Sequence, residues 1–158
     1  MRRKDRKIAD FNEILAILNK CDVCRMAMID DGVPYIVPMN FGYCADNNEI
    51  TLYFHSAKEG RKIDILKINP AVCVEMDCAH QLISGNKACD YTMNFESLIG
   101  SGTVEFIDSL DEKILALTQI MRKYSKESSF EFDTNLFERT TLFKASVRDF
   151  AGKRHCSQ

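Results

Sequence analysis

The clearest chemical signal in this sequence lies in residues 53–70, which read YFHSAKEGRKIDILKINP. An apolar segment typical of a β-strand leads into Ser56, and a basic segment follows it. Ser56 and Glu59 have the spacing of a capping box, in which the serine oxygen accepts a hydrogen bond from the backbone three residues on. Asn69-Pro70 is a stop signal, because proline disfavours helical geometry in the residue before it. The sequence therefore predicts a helix that starts at Ser56 and stops at Asn69.

Three cationic side chains lie near this predicted helix start. Lys58, Arg61 and Lys62 are spaced i, i+3 and i+4, which places them on one face of a helix. Unpaired backbone N–H groups, the positive end of the helix dipole and three cations together favour a bound phosphate. The same pattern is typical of a surface helix with a hydrated basic face. The residues alone leave both interpretations open.

His55 stands at the end of the predicted strand, next to Ser56. An imidazole in this place could donate a hydrogen bond to a phosphate, or supply a proton to a substrate that is being reduced. The competing interpretation is a half-buried histidine whose ring bonds to a backbone carbonyl. We favour a role in a site, mainly because of the family resemblance described below.

The seven cysteines raise the possibility of metal or redox chemistry. Cys21 and Cys24 form a CxxC pair, but a structural zinc site needs a second pair of ligands, and the sequence has no second CxxC. The positions of Cys73 and Cys78 differ by an odd number, so the two side chains face opposite ways on a regular strand. We therefore predict buried or incidental thiols and no metal, although a site that uses Cys73, Cys78, His80 and Cys89 stays open.

Composition is that of a globular protein with one domain. The 158 residues are 46% hydrophobic and 28% charged, and the net charge of −2 gives no basic field for nucleic acid. No apolar run reaches the length of a membrane span, and the start of the chain does not follow the signal-peptide pattern. We expect a single domain over residues 1–158, cytoplasmic and associated with neither membrane nor nucleic acid.

Hydrophobic periodicity predicts an α+β chain that is mainly β. Closely spaced turn signals, Asp30-Asp31-Gly32 and Ala45-Asp46-Asn47-Asn48, indicate an antiparallel meander built as a small barrel. Residues 79–94, 125–135 and 148–158 have weak periodicity and are expected to be a loop, a polar connector and a short polar tail. The predicted helices cover residues 8–19, 57–69 and 111–124, and the predicted strands cover 24–29, 34–44, 49–55, 71–76, 95–107 and 140–147.

Three segments in this order resemble a known family. PYIVPMNFGY at 34–43, YFHSAKEGRK at 53–62 and the Asn-Pro helix stop, followed by the glycine-containing strand 95–107, look like the split barrels related to pyridoxamine 5'-phosphate oxidase. Within that family the sequence is most similar to the nitroimidazole-resistance (Nim-like) flavoproteins. HSAKEGRK is the most specific segment. The resemblance implies a six-stranded antiparallel split β-barrel with peripheral helices.

The resemblance also implies a cofactor and a partner. Proteins of this family bind flavin mononucleotide (FMN), and a homodimer holds two flavins in crevices between the subunits; flavin adenine dinucleotide (FAD) is the alternative. The phosphate would be held by His55 or Ser56 at the strand end and by Arg61 and Lys62 on the helix. The basic pattern of the sequence adds Lys58 to this group.

Two further segments would contact the flavin if the resemblance holds. Backbone groups of residues 37–40 would line the flavin ring, while two residues of the long glycine-containing strand would reach the flavin of the partner subunit. The residues in these two roles are Val37, Pro38, Met39 and Asn40 for the ring, and Glu96 and Ser97 for the partner's flavin.

The expected activity is a flavin-dependent oxidoreductase reaction. A reduced nicotinamide or another donor would reduce the flavin, and a small planar acceptor such as a nitroaromatic would then be reduced, with His55 as the catalytic candidate. The arginine and histidine that bind substrate in the vitamin B6 oxidases have no match in VRDFAGKRHCSQ. The alternatives are a flavin- or tetrapyrrole-binding protein without turnover, and a cysteine-rich metal module.

Overall fold

The computed structural model describes residues 3–157, apart from the side chains of residues 134 and 136. Residues 1, 2 and 158, which belong to the expected domain 1–158, lie outside the described residues. Two 3-10 turns cover Lys4–Arg6 and Ala88–Asp90. In chain order the other elements are β1 (Lys7–Ile8), α1 (Phe11–Lys20), β2 (Cys24–Asp30), β3 (Val33–Met39), β4 (Gly42–Asp46), β5 (Glu49–Ala57), α2 (Arg61–Ile68), β6 (Ala71–Ile83), β7 (Thr92–Phe106), α3 (Leu110–Tyr124), α4 (Thr134–Arg139) and β8 (Thr140–His155).

The strands form one antiparallel sheet in the order β3-β2-β6-β7-β8-β5-β4, with β1 beside β8. The two end strands, β3 and β4, are joined only by Asn40-Phe41, so the sheet rolls back on itself without closing. This confirms the predicted α+β class with a split barrel. The sheet has eight strands where six were predicted. The predicted strand 34–44 is interrupted and forms both β3 and β4, and the two-residue strand β1, which pairs with β8, was not predicted.

The core fills the inside of the rolled sheet. Alternate residues of the strands point inward, as the two-residue period of a strand requires, and Phe54 of β5 stacks on Phe143 of β8 with ring centroids 5.4 Å apart. Helix α1 closes one end of the barrel with Ile14, Ile17 and Leu18, all buried. Asp10 caps this helix by accepting hydrogen bonds from the backbone of residues 12 and 13.

Helix α3 covers a second, smaller cluster on the outside of the sheet. Tyr53 and Leu142 pack there against Leu117 and Ile120 of the helix. The helix approaches β4 very closely at Gly42, where a Cβ atom would lie 2.3 Å from the backbone of Gln119. Only glycine fits this contact, which fixes α3 against the end strand of the sheet.

The predicted capping box at Ser56 is wrong. Strand β5 continues through Ala57, whose partner is Thr140 of β8, so Ser56 lies in the sheet and cannot cap a helix. Helix α2 begins later, at Arg61, and its N-cap is Gly60 with φ of 132°. The pairing of β5 with β8 sets the end of the strand and the late start of α2, and no local sequence pattern reveals that pairing.

Two further predictions fail for a related reason. The described part of the predicted polar tail, residues 148–157, is not a tail, because β8 runs to His155 and pairs with β7 as far as Phe95. Residues 79–94 are not simply a loop, because β6 passes through an irregularity at Ala79 (φ 57°) and continues to Ile83. In both segments the neighbouring strand supplies the stabilisation that the local sequence lacks.

Candidate functional site

Ser56 is the most unusual residue of the predicted phosphate site. Only 8% of its surface is exposed, and its Oγ atom has no hydrogen-bond partner among the described residues. A buried hydroxyl without a partner costs stability, so native proteins seldom keep one without a reason. Because the next helix starts only five residues later, this hydroxyl lies at the end of the strand that leads into α2.

The start of α2 leaves backbone donors available. No side chain caps the helix, and its first backbone bonds are those from Ile63 and Asp64 to the carbonyl of Gly60. The N–H groups of Arg61 and Lys62 therefore lack helical partners, as in the first turn of any helix. Together with the two cationic side chains they can bind an anion.

Arg61 is held in place by two residues of the hairpin β2–β3. Its Nε donates to Asp30 Oδ2 over 2.7 Å, and its guanidinium lies over the ring of Tyr35, 4.4 Å from the centroid. These contacts fix the arginine while its terminal amino groups keep donors for a ligand. Sequence analysis missed both residues, because only the fold brings them to the start of α2.

Lys58 does not lie on the helix face that was predicted for it. It precedes the helix instead of lying on it, and it lines a separate groove with Lys67 and residues of β7, β8 and α3. The predicted common face of Lys58, Arg61 and Lys62 therefore does not exist, because the helix begins three residues after Lys58. Arg61 and Lys62, at the first two helical positions, keep the predicted arrangement.

The segment predicted to line a flavin ring forms the end of β3 and the turn after it. Strand β3 pairs only with β2, so its other edge is free of partners among the described strands. Met39 is buried and Val37 partly buried, while Pro38 faces outward. Asn40 is exposed, and the next residue is anchored because its N–H donates to Tyr124 Oη over 3.1 Å.

His55 points away from Ser56, as neighbouring residues of a strand must. It lines a cavity of about 660 Å³ between α3 and the connector that follows that helix. We call this cavity the His55 groove. The side chains that line it besides His55 are mainly apolar, and the groove is defined by Leu117, Ile120, Met121, Phe130 and Phe132, with Glu127 and Glu131 at its rim.

Sequence analysis treated the connector of the His55 groove as a polar segment. The sequence signal that could have indicated the groove was the alternation of Phe130 and Phe132 within SKESSFEFDTN, because two aromatic residues are unusual in a solvated linker.

The environment of His55 favours the neutral form of its imidazole. Loss of hydration in the groove, and then the positive charge of Lys62, lower the pKa of His55 below its ordinary value. A neutral imidazole can donate one hydrogen bond and accept another. His55 can therefore donate to an acceptor in the groove, or take up a proton when negative charge arrives nearby.

Glu96 and Ser97 lie on opposite faces of β7. Glu96 is buried, and its two carboxylate oxygens accept hydrogen bonds of 2.6 Å from Lys20 and from Arg154. Burial alone would raise the pKa of Glu96, but the two cations outweigh it and lower the pKa. Its carboxylate is thus engaged within its own subunit, whereas Ser97 faces the outside of the sheet opposite Asp77.

The CxxC cysteines are both buried and free. Burial raises the pKa of Cys24 to about 12 and also raises the pKa of Cys21. A protonated thiol is a weak nucleophile and a weak metal ligand, so these two residues are suited to packing. Among residues 3–157 no three side chains of histidine, cysteine, aspartate or glutamate group as metal ligands would.

The rolled, open antiparallel sheet defines the class of this protein as a split barrel. The family model described as pyridoxamine 5'-phosphate oxidase matches residues 10–154. The chain therefore belongs to the pyridoxamine 5'-phosphate oxidase family. No functionally curated protein matches it significantly.

Solved structures agree with this assignment. A candidate 5-nitroimidazole antibiotic resistance protein from Bacteroides thetaiotaomicron is 38% identical, with a TM-score of 0.82, over 94% of this chain and 86% of that one. The FAD and heme binding protein from Mycobacterium smegmatis shares 15% identity and a TM-score of 0.84, over 96% and 74% of the two chains. An FAD-binding protein from Mesorhizobium loti shares 22% identity and a TM-score of 0.66, over 96% and 98%. The last two similarities show the fold alone.

Proposed function

We propose that this protein binds FMN as a homodimer and uses it to reduce small planar acceptors, nitroaromatic compounds among them. The observation that carries the proposal is the buried, unpartnered hydroxyl of Ser56 on the strand that leads into the uncapped start of α2. The 38% identity to a candidate 5-nitroimidazole resistance protein supports the choice of acceptor.

The phosphate of the flavin is assigned to four groups of this chain. Ser56 Oγ supplies a hydroxyl donor, the N–H groups of the first turn of α2 supply backbone donors, and Arg61 and Lys62 supply positive charge. Asp30 and Tyr35 keep Arg61 oriented. Charged donors bind phosphate most strongly when they are fixed in this way.

The remaining sequence-predicted groups have supporting roles in the proposal. The free edge of β3 offers backbone groups of Val37, Pro38, Met39 and Asn40 to the flavin ring. Ser97 faces outward, so it is the better placed of the two β7 residues to reach a partner subunit. Glu96 orders α1 and β8 around β7 through its bonds to Lys20 and Arg154.

The acceptor is assigned to the His55 groove. Its volume of about 660 Å³ and its aromatic and aliphatic walls suit a small ring compound. The flavin supplies the electron transfer, while the protein orients the acceptor and excludes water. The neutral imidazole of His55 donates a hydrogen bond to the acceptor, and the nearby charge of Lys62 favours negative charge there.

The outer face of the sheet supports a homodimer. Cross-strand neighbours on β3, β2, β6 and β7 place Ile36, Ala27, Cys73 and Ser101 in one row, and Pro38, Arg25, Glu75 and Ile99 in the next. Ile36 and Ile99, which are large apolar side chains exposed on this face, favour an interaction site there. A second copy of the chain would cover this face and complete the flavin crevice.

Oxidation of pyridoxamine phosphate is not part of the proposal. Arg154, which is the arginine nearest the end of the chain, is bonded to Glu13 and Glu96. His155 is within 3.2 Å of Thr92 Oγ1 and packs against Phe95. Neither side chain is free to hold a substrate phosphate.

Absorbance spectroscopy of the purified protein, with the released ligand identified by mass, tests the cofactor. We expect a flavin spectrum with one FMN per subunit. Release of FAD would correct the identity of the cofactor. A protein that is purified without flavin and does not bind added flavin would refute the proposal. Arg61→Gln combined with Lys62→Gln should weaken FMN binding by about a hundredfold or more, because charged hydrogen bonds contribute roughly 1.5–3 kcal/mol each. Lys4→Gln combined with Lys7→Gln removes the same charge elsewhere and should have no effect.

Turnover with a reduced nicotinamide and a 5-nitroimidazole tests the reaction. His55→Phe keeps the groove apolar but removes the donor, so it should lower kcat about a hundredfold or less while FMN binding persists. Bound flavin that no pair of donor and acceptor can cycle would point instead to a binding protein without turnover.

A further inference from the structure

A second groove lies beside the His55 groove and carries three lysines. Lys58 comes from the loop before α2, Lys67 from the last turn of α2 and Lys113 from the first turn of α3. We call it the lysine groove; its volume is about 490 Å³. The two grooves share Thr140, the first residue of β8.

The lysine groove is positively charged and unbalanced. Asp108 is the single carboxylate that lines it, so the lining carries three positive charges and one negative charge. Within residues 3–157, no ion pair engages any of the three lysines, although other lysines such as Lys20 and Lys144 are paired. An anion bound between the ammonium groups of these three elements would interact favourably with all of them.

The floor of the groove is apolar and buried. Ile63, Ile107 and Leu142 are each almost fully buried in the core or the second cluster, and aromatic rings of Phe106 and Phe137 stand beside them. The hydroxyls of Thr140 and Thr141 lie among these groups. A ligand that matches this lining has an anionic end for the lysines and an apolar ring for the floor.

We propose that the lysine groove binds a phosphate monoester that carries an apolar ring. Phosphate is favoured over a carboxylate because it offers two negative charges and three acceptor oxygens to the lysine and threonine donors. The groove volume falls within the range of small-molecule sites. The site is separate from the proposed flavin site, since Arg61 contacts β2 and β3 while the lysine groove is bordered by β7, β8 and α3.

Titration of the purified protein with phenyl phosphate, followed by methyl NMR, tests the proposal. The Ile63 and Leu142 methyl signals should shift and saturate, while those of Ile17 in the main core should not. Inorganic phosphate and phenol, which each lack one half of the ligand, should bind at least about tenfold more weakly than phenyl phosphate. The affinity of benzoate should lie between that of these two compounds and that of phenyl phosphate. The shifts should persist in Arg61→Gln combined with Lys62→Gln, which removes the proposed flavin-phosphate cations, so the result does not depend on whether the protein binds flavin.

Two variants with opposite expected effects decide the outcome. Lys67→Gln combined with Lys113→Gln should weaken phenyl phosphate binding by about tenfold or more, whereas Asp108→Asn should strengthen it severalfold, an effect that misfolding cannot imitate. The charge-matched control Lys4→Gln combined with Lys7→Gln should bind as the wild type does. Absence of shifts at Ile63 and Leu142, equal loss in the control, or no gain from Asp108→Asn would overturn the proposal.

Discussion

The hydroxyl of Ser56 lowers the stability of the flavin-free protein, because a buried donor without a partner loses its bonds to water and gains none in exchange. Ser56→Ala should therefore raise the free energy of unfolding of the flavin-free protein by about 1 kcal/mol. The same change removes a phosphate donor, so FMN should bind about tenfold more weakly. Urea unfolding and flavin fluorescence titration measure the two effects.

Ser56→Ala should raise the free energy of unfolding but weaken FMN binding, and these opposite effects make the prediction specific. Exposed Ser128 provides the control, because Ser128→Ala should change neither quantity by more than about 0.5 kcal/mol. A fall in stability in Ser56→Ala would mean that the hydroxyl has a structural partner. Unchanged FMN affinity would remove Ser56 from the phosphate site.

The pKa of His55 depends on its hydration and on Lys62. Lys62→Met removes a nearby positive charge, so the pKa of His55 should rise toward its ordinary value, as measured by an NMR pH titration of the imidazole. Lys67→Met removes a charge from the far end of the same helix and should leave that titration unchanged. A pKa that does not move in Lys62→Met would show that burial alone lowers it.

Protonation of His55 also links pH to stability. Its pKa is lower in the folded protein than in the unfolded chain, so the unfolded chain binds the proton more tightly. Stability should consequently fall as the pH drops below the unfolded value of 6.5. His55→Phe should show less of this loss between pH 7 and pH 5 in urea unfolding.

Among the elements, α2 has the most unusual start. Gly60 has φ of 132°, a region that residues with a Cβ atom rarely adopt, although nothing lies within 4 Å of the position of that atom. Gly60→Ala should therefore cost about 1–3 kcal/mol through backbone strain alone. It should also weaken FMN binding, because the strained loop can relax only by moving the N–H groups of the first turn.

Urea unfolding and FMN titration of Gly60→Ala check this prediction. Gly32→Asn is the control, since that turn position has φ of 79° with open space around it, and asparagine tolerates such a conformation well. Equal losses in the two variants would show that the effect is not specific to α2. A fully stable Gly60→Ala with normal binding would contradict the assignment of strain to this residue.

Local sequence predicted the elements whose signals are local. The turns at Asp31-Gly32 and Asn47-Asn48 are confirmed. The start of α2 and the length of β8 were mispredicted, because pairing between β5, β8 and β7 decides them. Pairs such as Ala57 with Thr140 are separated by more than 80 residues, and no local pattern records them.

The residues of the candidate site also fall into two groups, those that the local sequence predicted and those that only the fold brings near. Ser56, Arg61 and Lys62 were predicted from one short segment, since a strand that leads into a helix start is a local feature. Asp30 and Tyr35, which hold Arg61, and Phe130 and Phe132, which face His55, come from distant segments. Lys58 was misplaced because its predicted position depended on the wrong helix start.

For the whole molecule, the outer face of β3, β2, β6 and β7 has consequences for assembly. Ile36, Ile29 and Ile99 on this face are 59%, 47% and 51% exposed. If a second copy covers it, Ile36→Glu combined with Ile99→Glu buries two charges in the interface and should convert the dimer to a monomer. Light scattering after size-exclusion chromatography measures the mass.

Assembly and cofactor binding should fail together in this variant. In the proposed dimer the free edge of β3 forms one side of the flavin crevice and the partner subunit forms the other, so the monomer should bind FMN at least tenfold more weakly. Ile68→Glu, at a position 87% exposed at the end of α2, introduces the same charge outside this face and should stay dimeric with normal affinity. A monomeric variant that keeps full FMN affinity would mean that one subunit alone forms the flavin site, with Ser56, Arg61 and Lys62 sufficient to hold it.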